Sequence, residues 1–195
     1  MPSTIEIRPV DAASLGLFDE HFARHCAESG RRDHHFMPYE PNCDHGDGPT
    51  GLNSRVLYLD VPRWERWWIT VFEGEVISHV NRKGSTIRTA LHRADLGIGI
   101  DRPFRADGLG HRLVATAIEF CHDAGELEWL DLSVFAHTAF AHKANVRAMY
   151  ESLGFQLVGE VADQIRIGNQ SIEDIAMTLS VAGACRRCKK RNKCV

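Results

Sequence analysis

The stretch Arg105-Ala106-Asp107-Gly108-Leu109-Gly110 follows the apolar run Leu96-Gly97-Ile98-Gly99-Ile100 and leads directly into an amphipathic helical pattern. A strand, a glycine turn and a helix start, in that order, make an anion site. Glycine has no Cβ, so the backbone can take unusual angles and approach a ligand closely, while the N–H groups of a helix's first turn point at bound oxyanions. Phosphate is the first candidate. A P-loop would need a Gly-Lys-Ser/Thr ending, which is absent, and a Rossmann turn would open a βαβ unit, whereas this one follows the fourth strand of the chain.

The elements around this turn can be read from periodicity. Residues 5–10 alternate as a strand, and Asp11 with Ser14 supplies caps for a helix carrying Leu15, Leu17, Phe18, Phe22 and His25. From Glu28 to Asn53 the pattern dissolves into His, Asp, Gly and Pro, which predicts a long irregular loop. A short helix is expected within Val56–Trp67. Two runs, 68–72 and 76–80, flank Glu73-Gly74-Glu75 as a hairpin, and the next strand is Asp95–Ile100. After Gly110 a helix places Leu109, Leu113, Val114, Ala117, Ile118 and Cys121 on one face and ends at Ala124-Gly125. A buried strand spans Glu128–Phe135, a helix runs from Lys143 to Ser152 and stops at Gly154, and strands at Gln156–Ile167 and Ile172–Val181 are joined through Gly168-Asn169-Gln170.

With 195 residues, 44% of them hydrophobic and 25% charged, the chain can bury a full core without disulfide staples. It has no apolar run of about 18 residues and no signal-peptide pattern at its start, so a cytoplasmic protein without membrane contact is expected. Six cysteines form no disulfide framework. From Gly183 onward the chain carries six Lys or Arg and no acid, so the rest is more acidic than the net charge of −3 indicates. That body should repel nucleic acid. The expected organisation is one domain over residues 1–182 and a basic, flexible, cysteine-containing tail over 183–195. Cys185, Cys188 and Cys194 offer three thiolates where a structural zinc site takes four ligands.

Over about residues 4–181 the order of elements resembles the GNAT superfamily of acetyl-CoA-dependent N-acetyltransferases. The resemblance is carried by Arg105, Gly108 and Gly110 as the Arg/Gln-x-x-Gly-x-Gly/Ala signature, by Tyr150-Glu151-Ser152-Leu153-Gly154-Phe155 as the Tyr-x-x-x-Gly-Phe segment, and by Asp174–Leu179 as the closing strand. It implies an α/β (α+β) fold: a single mixed, mostly antiparallel sheet of about six to seven strands with helices on both faces. The implied activity is transfer of an acetyl group from the cosubstrate acetyl-CoA to a primary amine by direct attack through a tetrahedral intermediate. A catalytically weak acyl-CoA-binding sensor is the alternative.

The resemblance also implies roles. Backbone groups of Ala106, Asp107, Gly108, Leu109, Gly110 and His111 would hold the pyrophosphate, with Arg105 adding positive charge. Ile98, Gly99 and Ile100 would pair with the pantetheine arm like an added strand, and the Ile100 N–H would stabilise the oxyanion. A lysine-like amine has a pKa of about 10.4, so reaching the neutral nucleophile at pH 7 costs roughly 4 to 5 kcal/mol, and a base or a dry pocket must help. Asp95, His79, Ser133 and His137 are the residues considered, Ser133 being too weak to act alone. Tyr150, with a hydroxyl pKa of about 10, suits the general acid that protonates the leaving thiolate. No metal is expected.

The chain departs from the family where an Asn commonly lies about seven residues before the Tyr; that register holds Lys143, the nearest Asn is Asn145, and Thr138-Ala139-Phe140-Ala141-His142 reads as an insertion. An acidic loop with Asp33, Glu40, Asp44 and Asp47, rimmed by Trp64, Trp67 and Trp68, would suit a cationic acceptor. The sequence leaves the acceptor, the acyl length and the oligomeric state, including a homodimer, open.

Overall fold

A computed structural model of the chain describes residues 5–28, 57–137 and 142–182. In chain order the elements are β1 (Glu6–Pro9), α1 (Leu15–Glu28), β2 (Glu65–Phe72), β3 (Glu75–Gly84), β4 (Arg93–Ile100), α2 (Leu109–Ala124), β5 (Trp129–His137), α3 (His142–Ser152), β6 (Gln156–Ile167) and β7 (Gln170–Ser180), with single 3-10 turns at Arg88–Ala90 and Arg102–Phe104. The strands form one seven-stranded sheet in the order β1-β2-β3-β4-β5-β7-β6. Only β4 and β5 run parallel, joined by α2 as a crossover; every other neighbouring pair is antiparallel.

Local chemistry explains most boundaries. Before α1, the Asp11 N–H donates to Ser14 Oγ at 3.0 Å and the Ser14 N–H donates to Asp11 Oδ1 at 2.9 Å, a reciprocal cap. Glu73 (φ 50°) and Gly74 (φ 86°) both turn left-handed, the two-residue geometry that joins twisted antiparallel strands such as β2 and β3. Gly125 closes α2 at φ 68°, its N–H reaching the Cys121 carbonyl.

The expected short helix within Val56–Trp67 is not formed by the described part of that segment. Residues 57–64 are turns, and β2 begins at Glu65. Pro62 lacks an N–H, Arg63 sits at φ 66°, and the Arg63 N–H is committed to the Ser85 carbonyl at 3.1 Å. The loop expected from Glu28 begins at the last residue of α1, and its remainder to Asn53, like the tail at 183–195, lies outside the described residues.

Neighbouring tryptophans on β2 show how both faces of the sheet are covered. Trp67 packs on Phe18 and Phe22 of α1, with ring centroids 5.1 and 6.2 Å apart, while Trp68 packs on Phe120 of α2 at 5.2 Å. Alternation along a strand sends them to opposite faces. Trp64 and Trp67 are therefore core residues, not the rim of an acceptor pocket, because their rings are the largest apolar surfaces this stretch has to bury. The main core, with Val80, Leu113, Val114, Ala117, Leu130 and Ile175, lies under α2. In it Arg82 is fully buried, its guanidinium carbon 3.9 Å above Trp68 and 4.1 Å above Phe120, and it donates to the Ala117 carbonyl. Burial pushes its pKa down to about 10, partly offset by Cys121, so the cation persists between two aromatic faces.

Among the described residues no helix is long and apolar enough to cross a membrane. At the end of β3, a Cβ on Gly84 would run into the indole of fully buried Trp64. That ring has no room to retreat. Gly84→Ala should destabilise the fold by about 1–3 kcal/mol, read as a lower urea midpoint with an unchanged m-value.

Candidate functional site

The parallel pairing of β4 with β5 covers only Arg93–Asp95 against Trp129–Asp131; beyond it, β4 stays with β3 and β5 stays with β7. The sheet parts here. Just after β4 the Asp101 N–H reaches the Ile77 carbonyl of β3 at 2.9 Å, so by alternation the amides of Ile98 and Ile100 face the opening and that of Gly99 faces β3. At the point of parting, Arg93 grips Asp131 with Nε–Oδ2 at 2.7 Å and Nη2–Oδ1 at 2.6 Å, while Thr178 of β7 donates to the same carboxylate at 2.6 Å. Asp95 lies directly opposite Asp131. Asp95 is exposed at this position; crowding by neighbouring chain and the Asp131 charge raise its pKa, with Lys83 and Arg93 working against them.

Downstream of β4 the chain makes its 3-10 turn and enters the glycine loop. Ala106 (φ 70°) and Gly108 (φ 76°) are both left-handed, and Gly108 caps α2 with no side chain bonded to the first-turn amides. Amides so left are donors for an oxyanion. Ala106, Asp107, Gly108 and His111 are exposed, whereas Leu109 is buried and anchors the turn. A Cβ on Gly110 would come within 3.3 Å of Met149 Sδ and 3.4 Å of Ile100 Cδ1, so glycine lets α2, α3 and β4 close together. Arg105 is a brace: its Nε donates to the Ile100 carbonyl at 2.8 Å and its Nη2 lies 3.7 Å from Glu28.

The sequence profile of the Acetyltransferase (GNAT) family matches residues 33–155, which contain β2 to β5, the parting strands, the glycine loop and α3. The chain belongs to the GNAT acetyltransferase family. No curated protein matches its sequence. Among solved structures, a GNAT-family acetyltransferase from Streptococcus pneumoniae is 19% identical, with 91% of this chain and 99% of that one covered and a TM-score of 0.71. A GNAT superfamily phosphinothricin acetyltransferase from Sinorhizobium meliloti, solved in complex with AcCoA, is 17% identical over 92% and 89% of the two chains, with a TM-score of 0.68. The ribosomal-protein-S18-alanine N-acetyltransferase from Escherichia coli is 17% identical over 92% and 95%, with a TM-score of 0.60. These likenesses show the GNAT fold.

The remaining residues singled out in the sequence fall in several places. Tyr150, in the last turn of α3, is 4% exposed and packs edge-on against Phe155 at 5.6 Å. Burial raises its pKa above that of an ordinary phenol, so it stays protonated at neutral pH. Asn145 is exposed on α3. Ser133 is exposed on β5 and donates to Asp174 at 3.3 Å. His137 ends β5 opposite Ile172, and its side chain lies outside the described residues. His79 sits on β3 opposite Gly99, away from solvent among Phe18, Phe22 and Trp67. Burial, reinforced by His21 and His25, holds its pKa well below the usual imidazole value against the pull of Asp101, so its ring is neutral.

His79 belongs to a cluster that periodicity alone did not single out. His21 and His25 of α1 converge with it on Asp101, the first residue after β4. A signal was present: two histidines four residues apart share one face of a helix. Their partners come from β3 and from the strand end, which only the sheet register supplies. Burial works to raise the Asp101 carboxyl, but His21, His25 and Arg24 outweigh it and hold it below the ordinary range.

Around a Cβ at Gly108 there is nothing within 4 Å, so Gly108→Ala meets only the left-handed backbone penalty. A loss of about 1–2 kcal/mol is expected, measured as a shift in the denaturation midpoint.

Proposed function

We propose that this GNAT acetyltransferase moves the acetyl group of acetyl-CoA to a primary amine of a small molecule or a protein by direct attack. The observation that carries the reading is the opening between β4 and β5, bordered by inward-facing amides of Ile98 and Ile100 and leading to a helix N-terminus capped by a glycine. An extended pantetheine arm fits it as a missing strand would, because its amides can both donate to and accept from a strand edge. The amides of residues 106–111 then receive the pyrophosphate, with Arg105 and Asn145 alongside. The AcCoA complex of the Sinorhizobium meliloti relative supports the same ligand class here.

In the reaction the neutral amine nitrogen attacks the thioester carbon, and the carbonyl oxygen takes up negative charge beside the Ile100 N–H. Collapse of this tetrahedral intermediate breaks the C–S bond, and the departing thiolate takes a proton from the Tyr150 hydroxyl. The amine's surplus proton goes to a base. We assign that role to Asp95 over His79 and His137, since Asp95 stands where the strands part and its pKa is already raised.

The test mixes the full-length protein, acetyl-CoA and an amine library, and follows free thiol. Acceptor-dependent thiol release is expected, and Tyr150→Phe should lower kcat by about 10²- to 10⁴-fold with acetyl-CoA affinity retained. Asp95→Asn should lower kcat and remove the acidic limb of its pH profile. Acetyl-CoA binding without thiol release for any amine would replace this reading with that of an acyl-CoA sensor. Removal of residues 183–195 should leave acetyl-CoA binding intact.

A further inference from the structure

The cluster around Asp101 contains donor atoms spaced for a metal ion. His21 Nδ1 lies 3.0 Å from Asp101 Oδ1 and His25 Nδ1 lies 3.3 Å from it, and the three ligand atoms all fall within 4.8 Å of one another. A tetrahedral zinc ion with bonds of about 2.0–2.2 Å puts its donors roughly 3.3–3.5 Å apart. Two of the three edges are therefore close to that spacing. The imidazoles are 0% and 2% exposed, so the site is walled off from solvent on the α1 side, while Asp101 keeps 18% exposure as a route of entry.

A second observation points to a ligand. His21 Nδ1 is buried and has no hydrogen-bond partner: its 3.0 Å contact with Asp101 lies outside hydrogen-bond alignment. Its other nitrogen, Nε2, is 2.8 Å from His79 Nδ1. When Nε2–H donates to His79, the neutral ring must carry a lone pair on Nδ1, which is the protonation state a metal needs. In that tautomer His79 is the outer partner that sets the tilt of the His21 ring. Arg24 occupies the other carboxylate oxygen, with Nη2 3.3 Å from Oδ2, and leaves Oδ1 to the histidines. Two cations oppose a dication here; Arg24 is 45% exposed and paired with Asp101, and Arg105 lies 3.7 Å from Glu28.

We propose that His21, His25 and Asp101 bind a divalent first-row transition ion of zinc type, with water in the remaining position, and that His79 orients His21 toward it. Imidazole and carboxylate together suit zinc and its neighbours better than calcium or magnesium, which take oxygen. The ion takes no step in acyl transfer. It ties α1 to the start of the segment that runs from Asp101 into the glycine loop, and so couples ion occupancy to the order of that loop.

The test uses full-length, metal-stripped protein titrated with zinc chloride and cobalt chloride, beside a Cys185→Ser/Cys188→Ser/Cys194→Ser variant that removes the tail thiols. One equivalent of cobalt should bind both proteins with tetrahedral visible bands and no thiolate charge-transfer band. His25→Ala and Asp101→Asn should each weaken binding by at least about 100-fold, and His79→Gln by about 10-fold. Should these variants fail to fold, X-ray absorption of the zinc-loaded tail variant decides: nitrogen and oxygen scatterers with imidazole support the site, and sulfur overturns it. Loss of stoichiometric binding in the tail variant, or unchanged affinity in folded His25→Ala, also overturns it.

Discussion

The proposed acetyl-CoA site depends on two parallel strands that pair for three residues and then separate. An open backbone edge inside a sheet is costly, since unpaired amides and carbonyls lose water without gaining a partner. Here the separation is held by the Arg93–Asp131 fork and by Thr178, which join the first paired residue of β4 to the last paired residue of β5 and to β7. That clamp lets the strands diverge without unravelling the pairs behind them. It leaves a slot whose hydrogen-bonding demand matches an extended amide-bearing chain.

The same separation places the glycine loop. β4 ends at the open end of the slot, the chain turns through Ala106 and Gly108 in left-handed conformations, and α2 begins with first-turn amides that no side chain caps. α2 is then fastened to the sheet by an apolar face and by Arg82, a cation held between Trp68 and Phe120. This contact fixes where α2 starts against the sheet, and with it where the glycine loop ends. On the other face, α1 is fastened differently, through aromatic rings and the imidazoles around Asp101. The two faces thus meet the same strand end from opposite sides.

Much of the fold was legible from periodicity because the signals were local. The cap at Asp11 and Ser14, the Glu73-Gly74 turn, the apolar face of α2 and the stop at Gly154 each depend on neighbours within a few residues. The short helix expected before Trp67 failed for a non-local reason: the Arg63 amide is taken by Ser85, and Trp64 is drawn into the core beneath Gly84. From sequence alone the tryptophans suit a pocket rim and the core equally, because their proximity in the chain hides the alternation that sends Trp67 and Trp68 to opposite faces.

By itself the sequence determined the glycine loop, most of the order of elements and the family, and it marked Tyr150 as the proposed donor, since each is encoded by residues at short, regular spacing. The tertiary structure decided which strands part, which amides are left facing the opening, and that His21, His25 and His79 meet at Asp101. These depend on strand register and on contacts between residues 58 to 80 positions apart, where chain spacing carries no information and only packing brings the groups together.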